Sequence, residues 1–203
     1  METSKEKILN AAIAEFSRFG FDGARVDRIA KRAKVNKAMI YYHFPSKEAL
    51  YETILHNLAH NIVATVTNTI QKAFETGNPI ILVEAYAKHI SSLDKQYFMI
   101  IIRELASGGK YIKKIIAPTI IEPMTQIIGT LFESNKNKTI KPSINPQFTM
   151  IHVAGAVIIY NLMRLILQGT SVHSKYFSNE HVEHYIQNLC EVLAHGIIKE
   201  KDI

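Results

Sequence analysis

With Cys190 as the only cysteine among 203 residues, no intrachain disulfide can form, and a reducing, cytoplasmic setting is the natural expectation. Cys190 falls within an apolar helical pattern and reads as a core thiol. The N-terminal stretch METSKEKILNAA lacks the apolar core of a signal peptide. No apolar run approaches the ~18 to 20 residues needed to span a bilayer, so no membrane partner is expected. Also missing are a glycine-rich phosphate loop, a G-x-S-x-G elbow and any Cys/His set of zinc-finger spacing. His56 and His60 (i, i+4) and His181 and His184 (i, i+3) could each share a metal, but no Cys or carboxylate in a recognised pattern joins them. They read as solvated or hydrogen-bonded histidines. Hence no catalytic residue, metal or cofactor is assigned, and an enzyme is not expected. Strand-like alternation and hairpin signals are absent as well, which leaves an all-α fold.

What the chain does have is a 47% hydrophobic content, ample for a core, and an uneven charge. Residues 1–47 carry ten Lys/Arg against five Asp/Glu, and the remainder fourteen against thirteen. A basic head on a nearly neutral body is the footprint of a domain that meets a polyanion at one end.

The stretch from Val26 to Lys47, VDRIAKRAKVNKAMIYYHFPSK, organises that head. Val26, Ile29, Ala30 and Ala33 recur at the i, i+3, i+4, i+7 spacing of one buried helical face, while Asp27, Arg28, Lys31, Arg32 and Lys34 fall on the other. Asn36 suits the N-cap of a second, short helix from Lys37 to His43. Phe44-Pro45 stops it, and Ser46 can cap a third helix opening at Lys47. This is the spacing of a helix-turn-helix, whose second helix lies in a DNA major groove.

The segment GFDGARVDRIAKRAKVNKAMIYYHFPSKEALY resembles the DNA-binding segment of the TetR family of bacterial transcriptional regulators, from about Ile8 to about Leu55. The resemblance implies a three-helix DNA-binding domain over residues 1–47 and a larger helical ligand-binding and dimerisation domain over 48–203. It implies that Lys37, Ala38 and Met39 read base edges, and that Tyr41, Tyr42 and His43 touch the groove wall and phosphates. Lys47 then holds phosphate at the next helix's N-terminus, and Arg25 stands at the start of the first motif helix. These roles suit the chemistry of lysine, small apolar side chains and tyrosine hydroxyls on DNA. Three positions depart from the usual pattern: Lys34 replaces a turn glycine, Met39 a small hydroxyl residue, and Arg25-Val26 the threonine or serine that often caps the first motif helix.

In chain order, Ser4 is expected to cap a first helix that Gly20 closes. Residues 47–75 read as one long helix. Asn78-Pro79 and Asn145-Pro146 are start signals for helices to about Asp94 and about Gln168. Between them come a helix around Gln96–Ala106, a break at Gly108-Gly109, and a helix from about Tyr111 to Glu133 that Pro118 and Pro123 should kink. Ser134–Ser143 reads as a polar, lysine-rich surface loop, and a last helix starts near Asn179.

Polar residues within the apolar middle of the chain, Tyr86, His89, Arg103, Glu104, Asn161 and Arg164, together with Phe98 and Met124, are candidate contacts for a small-molecule effector. The final helix carries an apolar stripe that includes Val182, Ile186, Leu189, Leu193 and Ile197, and the helix before it offers Gly155 and Ile159 for close approach. In the family such helices form a homodimer interface, and a two-fold dimer matches a palindromic operator. The expected function is a repressor released from double-stranded DNA by a hydrophobic or amphipathic effector. The competing expectation is a helical small-molecule or lipid-binding protein that does not touch DNA.

Overall fold

A computed structural model describes residues 2–135, 140–141 and 143–197. Among these residues the regular structure is helical: α1 (Ser4–Gly23), α2 (Val26–Ala33), α3 (Lys37–His43), α4 (Lys47–Thr76), α5 (Ile80–Ser92), α6 (Lys95–Ala106), a π-helical segment (Ile112–Ile121), α7 (Glu122–Asn135), α8 (Pro146–Ile166), α9 (Ser171–Tyr176) and α10 (Val182–Ile197). The all-α expectation holds. The expected Ser134–Ser143 loop lies largely outside the described residues, as does the side chain of Ile197.

Most boundaries follow from local chemistry. Thr3, rather than Ser4, caps α1: its hydroxyl accepts from the Glu6 N–H while the Glu6 carboxylate accepts from the Thr3 N–H, a reciprocal capping box. Gly20 breaks α1 with φ 70° and ψ −179°, and one further turn follows to Gly23. Asn36 and Asn145 cap α3 and α8 as expected, accepting from Met39 N–H at 2.7 Å and Phe148 N–H at 2.9 Å. Gly108 and Gly109 make the expected break with φ 91° and 69°. Pro118 does not stop the chain but sits inside the π-helical segment, whose wider ring suits a residue with no N–H to give. Two expectations change at the end of the chain. A short α9 occupies 171–176, and Asn179–His181 is a 3-10 turn, so the last helix starts at Val182.

The expectation about apolar runs is corrected too. Residues Ile112–Ser134 (mean hydropathy 1.4) and α8 (1.5) are long and apolar enough to cross a bilayer by length and composition, and little of either is buried inside the chain. That is weak evidence for a membrane segment, because the core helix of a soluble protein passes the same test.

Two compact units emerge from the packing, one of residues 1–61 and 94–120, the other of 62–93 and 121–203. The first holds α1–α3, the start of α4, and α6. Its core joins Ile8, Ala12 and Phe16 of α1, Ile29 and Ala33 of α2, Ile40 of α3, Leu50, Tyr51 and Ile54 of α4, and Ile100, Tyr111 and Ile115 further on. Phe16, Phe21, Tyr51 and Tyr111 interlock with centroid separations of 4.7–6.3 Å, mostly tilted or edge-on. In the second unit α5 packs on α8 and α10, and α7 on α8.

Candidate nucleic-acid interface and candidate effector contacts

The turn between α2 and α3 is set by Lys34, in the left-handed region with φ 55° and ψ 42°. The Val35 N–H reaches back to Ala30 O at 3.1 Å and closes the end of α2. Ile29, Ala30, Ala33 and Ile40 are buried, and this anchors the inner faces of both helices. The outer face of α3 is therefore fixed by what lies behind it. It presents Lys37 and Ala38 at its start and Tyr41 and Tyr42 a turn later, Tyr42 being 81% exposed. His43 is half-buried with its ring edge-on to Tyr42, 5.1 Å between centroids.

Four of the expected DNA contacts are placed less simply. Met39 is half-buried against the core and offers only part of its side chain outward. Lys37 Nζ lies 2.9 Å from Asp27 Oδ1, and that hydrogen bond raises the lysine above its ordinary pKa. Arg25 is exposed, but its backbone N–H donates to Glu15 Oε1 at 3.0 Å. Lys47 is turned inward: its ammonium donates to Phe21 O at 2.8 Å and Ala24 O at 3.2 Å, and sits 4.6 Å from the centre of the Phe21 ring. The lysine expected on phosphate closes backbone carbonyls instead.

Sequence reasoning missed Glu15 and Arg28. Glu15, 3% exposed, accepts from Arg28 Nε at 2.6 Å, and Arg28 Nη2 donates to Gly23 O at 2.7 Å. A carboxylate one position before Phe16, on the inner side of α1, was the available signal.

The candidate effector contacts fall in both units. Phe98, Arg103 and Glu104 belong to the first unit, whereas Tyr86, His89, Met124, Asn161 and Arg164 belong to the second. Arg103 Nε donates to Ser17 O at 2.8 Å. The Gly20 break deprives that carbonyl of its ordinary helical partner, so α6 supplies the donor. Glu104 is buried and accepts from Tyr51 Oη at 3.2 Å and Tyr111 N–H at 2.7 Å. Burial first, then the Glu104 charge, pushes the Tyr51 phenol up. Asn161 donates to Ser91 Oγ and Val157 O, and Arg164 donates to Asn161 Oδ1 at 2.8 Å and Asn179 Oδ1 at 2.7 Å. These side chains hold helices together. Met124 is buried and Phe98 half-buried.

His89 differs in one ring nitrogen, and Tyr86 stands out by its burial. Burial pushes the Tyr86 phenol up to about 12. His89 Nδ1 is 3.0 Å from Thr65 Oγ1, while its buried Nε2 has no hydrogen-bond partner among the described residues, and burial lowers its pKa. His60 Nδ1 lies 2.8 Å from His56 O and His181 Nδ1 2.7 Å from Ser178 Oγ, contacts that occupy both ring nitrogens facing their own helix or turn. Among the described residues no group of three or more His, Cys, Asp and Glu is placed to hold a metal ion.

Of the residues expected at a dimer interface, Gly155 and Ile159 are exposed, the latter by 54%. Val182 and Leu189 are half-buried. Ile186 is 1% exposed, which corrects its assignment: it faces the core of its own unit. Leu193 likewise packs on Phe132 and Ile140. The outward apolar surface is on α8 instead, where Phe148, Ile151, Ile158, Ile159 and Ile166 are exposed, with Val192 on α10. Cys190 is half-buried, and burial raises its thiol above the ordinary range.

These features define a class: a helical protein with an N-terminal helix-turn-helix whose second helix shows a lysine and two tyrosines on its outer face. Residues 8–54 match the family model for bacterial regulatory proteins, tetR family, so the N-terminal segment is similar to the helix-turn-helix segment of that family. It is similar to the HTH-type transcriptional regulator RutR of Escherichia coli (strain K12), 36% identical over 98 residues, 48% of this chain and 44% of RutR. The match thus spans less than half the length of that relative. It is also similar to the biofilm operon icaADBC HTH-type negative transcriptional regulator IcaR of Staphylococcus aureus (strain Newman), 50% identical over 48 residues, 24% of this chain and 26% of IcaR. Among solved structures, that of the transcriptional regulator FadR from Bacillus subtilis in complex with stearoyl-CoA superposes with TM-score 0.68 at 17% identity. It covers 94% of this chain and 98% of that one, a likeness of fold.

Proposed function

We propose that this chain is a cytoplasmic transcriptional regulator that binds double-stranded operator DNA as a homodimer, represses, and is released by a small hydrophobic or amphipathic effector. The observation that carries the DNA-binding reading is the outer face of α3, where Lys37, Ala38, Tyr41 and Tyr42 stand exposed on a helix whose inner face is locked into the core. The excess of five positive charges over residues 1–47 supports it, as does the family match over residues 8–54. Repression is supported by the name of IcaR, a negative regulator, and an apolar effector by the stearoyl-CoA bound to FadR. No enzymatic activity and no cofactor belong to this reading.

In this proposal residues 1–47 are the DNA-binding domain and 48–203 the effector and dimerisation domain. Lys37 and Ala38, with part of Met39, read bases; Tyr41, Tyr42 and His43 meet the backbone; Arg25 and Lys47 support the frame. The dimer forms on α8 around Gly155 and Ile159, with Val182 and Leu189 of α10 at its border. Covering that apolar surface accounts for helices that are apolar yet little buried within one chain. His89 and Tyr86 are the effector's polar contacts. An unpaired buried ring nitrogen costs ~1–3 kcal/mol that a ligand's hydroxyl or carbonyl would relieve.

Binding of the full chain to random and to selected duplexes over a salt series tests the reading. A DNA binder loses affinity steeply with salt, log K falling by about 0.9 per phosphate neutralised for each tenfold rise in salt. A flat, weak response on every duplex would favour the small-molecule-binding alternative. Tyr42→Ala should lower affinity for all duplexes alike, and Lys37→Ala should also change which duplex is preferred.

A further inference from the structure

The first motif helix lacks the local cap that helices of its kind use. Arg25 is the N-cap of α2 and makes no side-chain capping bond, and the third helical position, where a capping box would put a glutamate, is Arg28. The missing carboxylate arrives from another helix. Glu15 Oε1 of α1 accepts the Arg25 N–H at 3.0 Å, as the glutamate of a capping box accepts its N-cap N–H, and takes Arg28 Nε at 2.6 Å. Arg28 Nη2 then closes on Gly23 O at 2.7 Å, and its guanidinium lies 4.2 Å from the centre of the Phe19 ring.

Together with Lys47 on Phe21 O and Ala24 O, every element of the head contributes a side chain or backbone group to the link between α1 and α2 except α3, which that link carries. The buried Glu15 carboxylate is tolerable only while paired, so the pair resists any change in the angle of α2 against α1. Arg28 also belongs, by its position in the sequence, to the basic outer stripe of α2, yet its two side-chain donor contacts and its stacking on Phe19 are all made to α1.

Resting on the DNA-binding reading above, we propose that Glu15 and Arg28 are positioning residues for operator recognition. Their pair is a cap supplied between helices that fixes the presentation of α3, and it withholds Arg28 from phosphate. Glu15 sets fidelity: with its charge in place the head binds DNA through α3, and without it Arg28 swings out as a sequence-blind phosphate ligand.

The test uses the full chain and two duplexes, one selected by this protein from a random library and one of random sequence, each titrated from low to high salt. Arg28→Ala should lower affinity for the selected duplex by about tenfold and leave the salt slope of the random duplex unchanged. Arg28→Lys should not rescue it, because one ammonium cannot replace the guanidinium fork that spans Glu15 and Gly23. Glu15→Gln, which keeps the shape, should narrow the preference for the selected duplex and steepen the random-duplex slope by about one as Arg28 is freed. Thermal melts of each variant report whether the head is folded, and if Arg28→Ala does not fold, Arg28→Lys and Glu15→Gln decide. Arg28→Ala flattening the slope by about one, with rescue by lysine, would make Arg28 an ordinary phosphate contact and overturn the proposal. So would wild-type preference and slope in Glu15→Gln. A wild-type chain with no steep salt dependence on either duplex removes the DNA-binding reading itself, a result distinct from either of these.

Discussion

Lys34 adopts a backbone conformation that costs a side chain with a Cβ ~1–2 kcal/mol, while glycine adopts it freely. Lys34→Gly should therefore raise stability by about 0.5–1 kcal/mol, once the larger entropy that glycine loses on folding is set against the relief. Denaturant unfolding reads this directly, and a stability loss would show that the lysine side chain compensates elsewhere. Arg103 makes the opposite case. Its bond to Ser17 O ties α6 to the end of α1, so Arg103→Ala should cost about 1–2 kcal/mol. A variant of unchanged stability that no longer responded to an acidic effector would return Arg103 to a ligand-binding role. The caps at Asn36 and Asn145 were legible because donor and acceptor lie three residues apart. Glu15 was not, because its partner Arg28 is 13 residues away and the pairing depends on how two helices cross.

At the scale of elements, periodicity located the long helices well, since an apolar stripe, a capping asparagine and a following proline coincide at α8 and glycines punctuate the others. It could not say which side of a stripe faces inward. Ile186 and Leu193 share the apolar stripe of α10 yet lie toward their own unit, where α5 packs on that helix and Leu193 meets Phe132 and Ile140. Two substitutions separate the faces. Ile159→Arg, at a position 54% exposed, should lower the dimer population in sedimentation while changing the melting temperature of the isolated subunit little. Ile186→Ala should instead destabilise the fold by about 2–4 kcal/mol, as large-to-small changes in a packed core do. An intact dimer in Ile159→Arg would place the interface elsewhere. The six-residue α9 escaped notice because a helix so short leaves no full period to read.

For the molecule as a whole, the helices of the N-terminal segment were legible nearly to their ends, because helix-turn-helix spacing and the YYHFPSKEAL run constrain them tightly. The body was legible only as helices, since an apolar interior can be filled in many ways and the packing decides which few polar groups stay unpaired. His89 is such a group, and its burial has a pH consequence for the entire fold. Its folded pKa lies below the unfolded value near 6.5, so the neutral ring contributes stability above that pH, and the contribution is lost as pH falls below it. Melting temperatures at pH 7.5 and 5.5 should therefore differ more for the wild-type chain than for His89→Gln. Equal shifts in the two proteins would mean that other groups govern the acid limb.

The first compact unit is discontinuous in the chain, residues 1–61 being completed by 94–120. A ribosome making this protein extrudes α1, α2 and α3 long before α6, whose residues Ile100 and Arg103 finish their packing. During that interval the α6-facing side of α1 and the Ser17 carbonyl stand open to water and to any passing chaperone. The head thus gains its final rigidity only after the first stretch of the second unit has also left the exit tunnel, a delay of some thirty residues, or a few seconds at ~5–20 residues per second. Fragments ending before residue 94 should fold less firmly than the same helices in the finished chain.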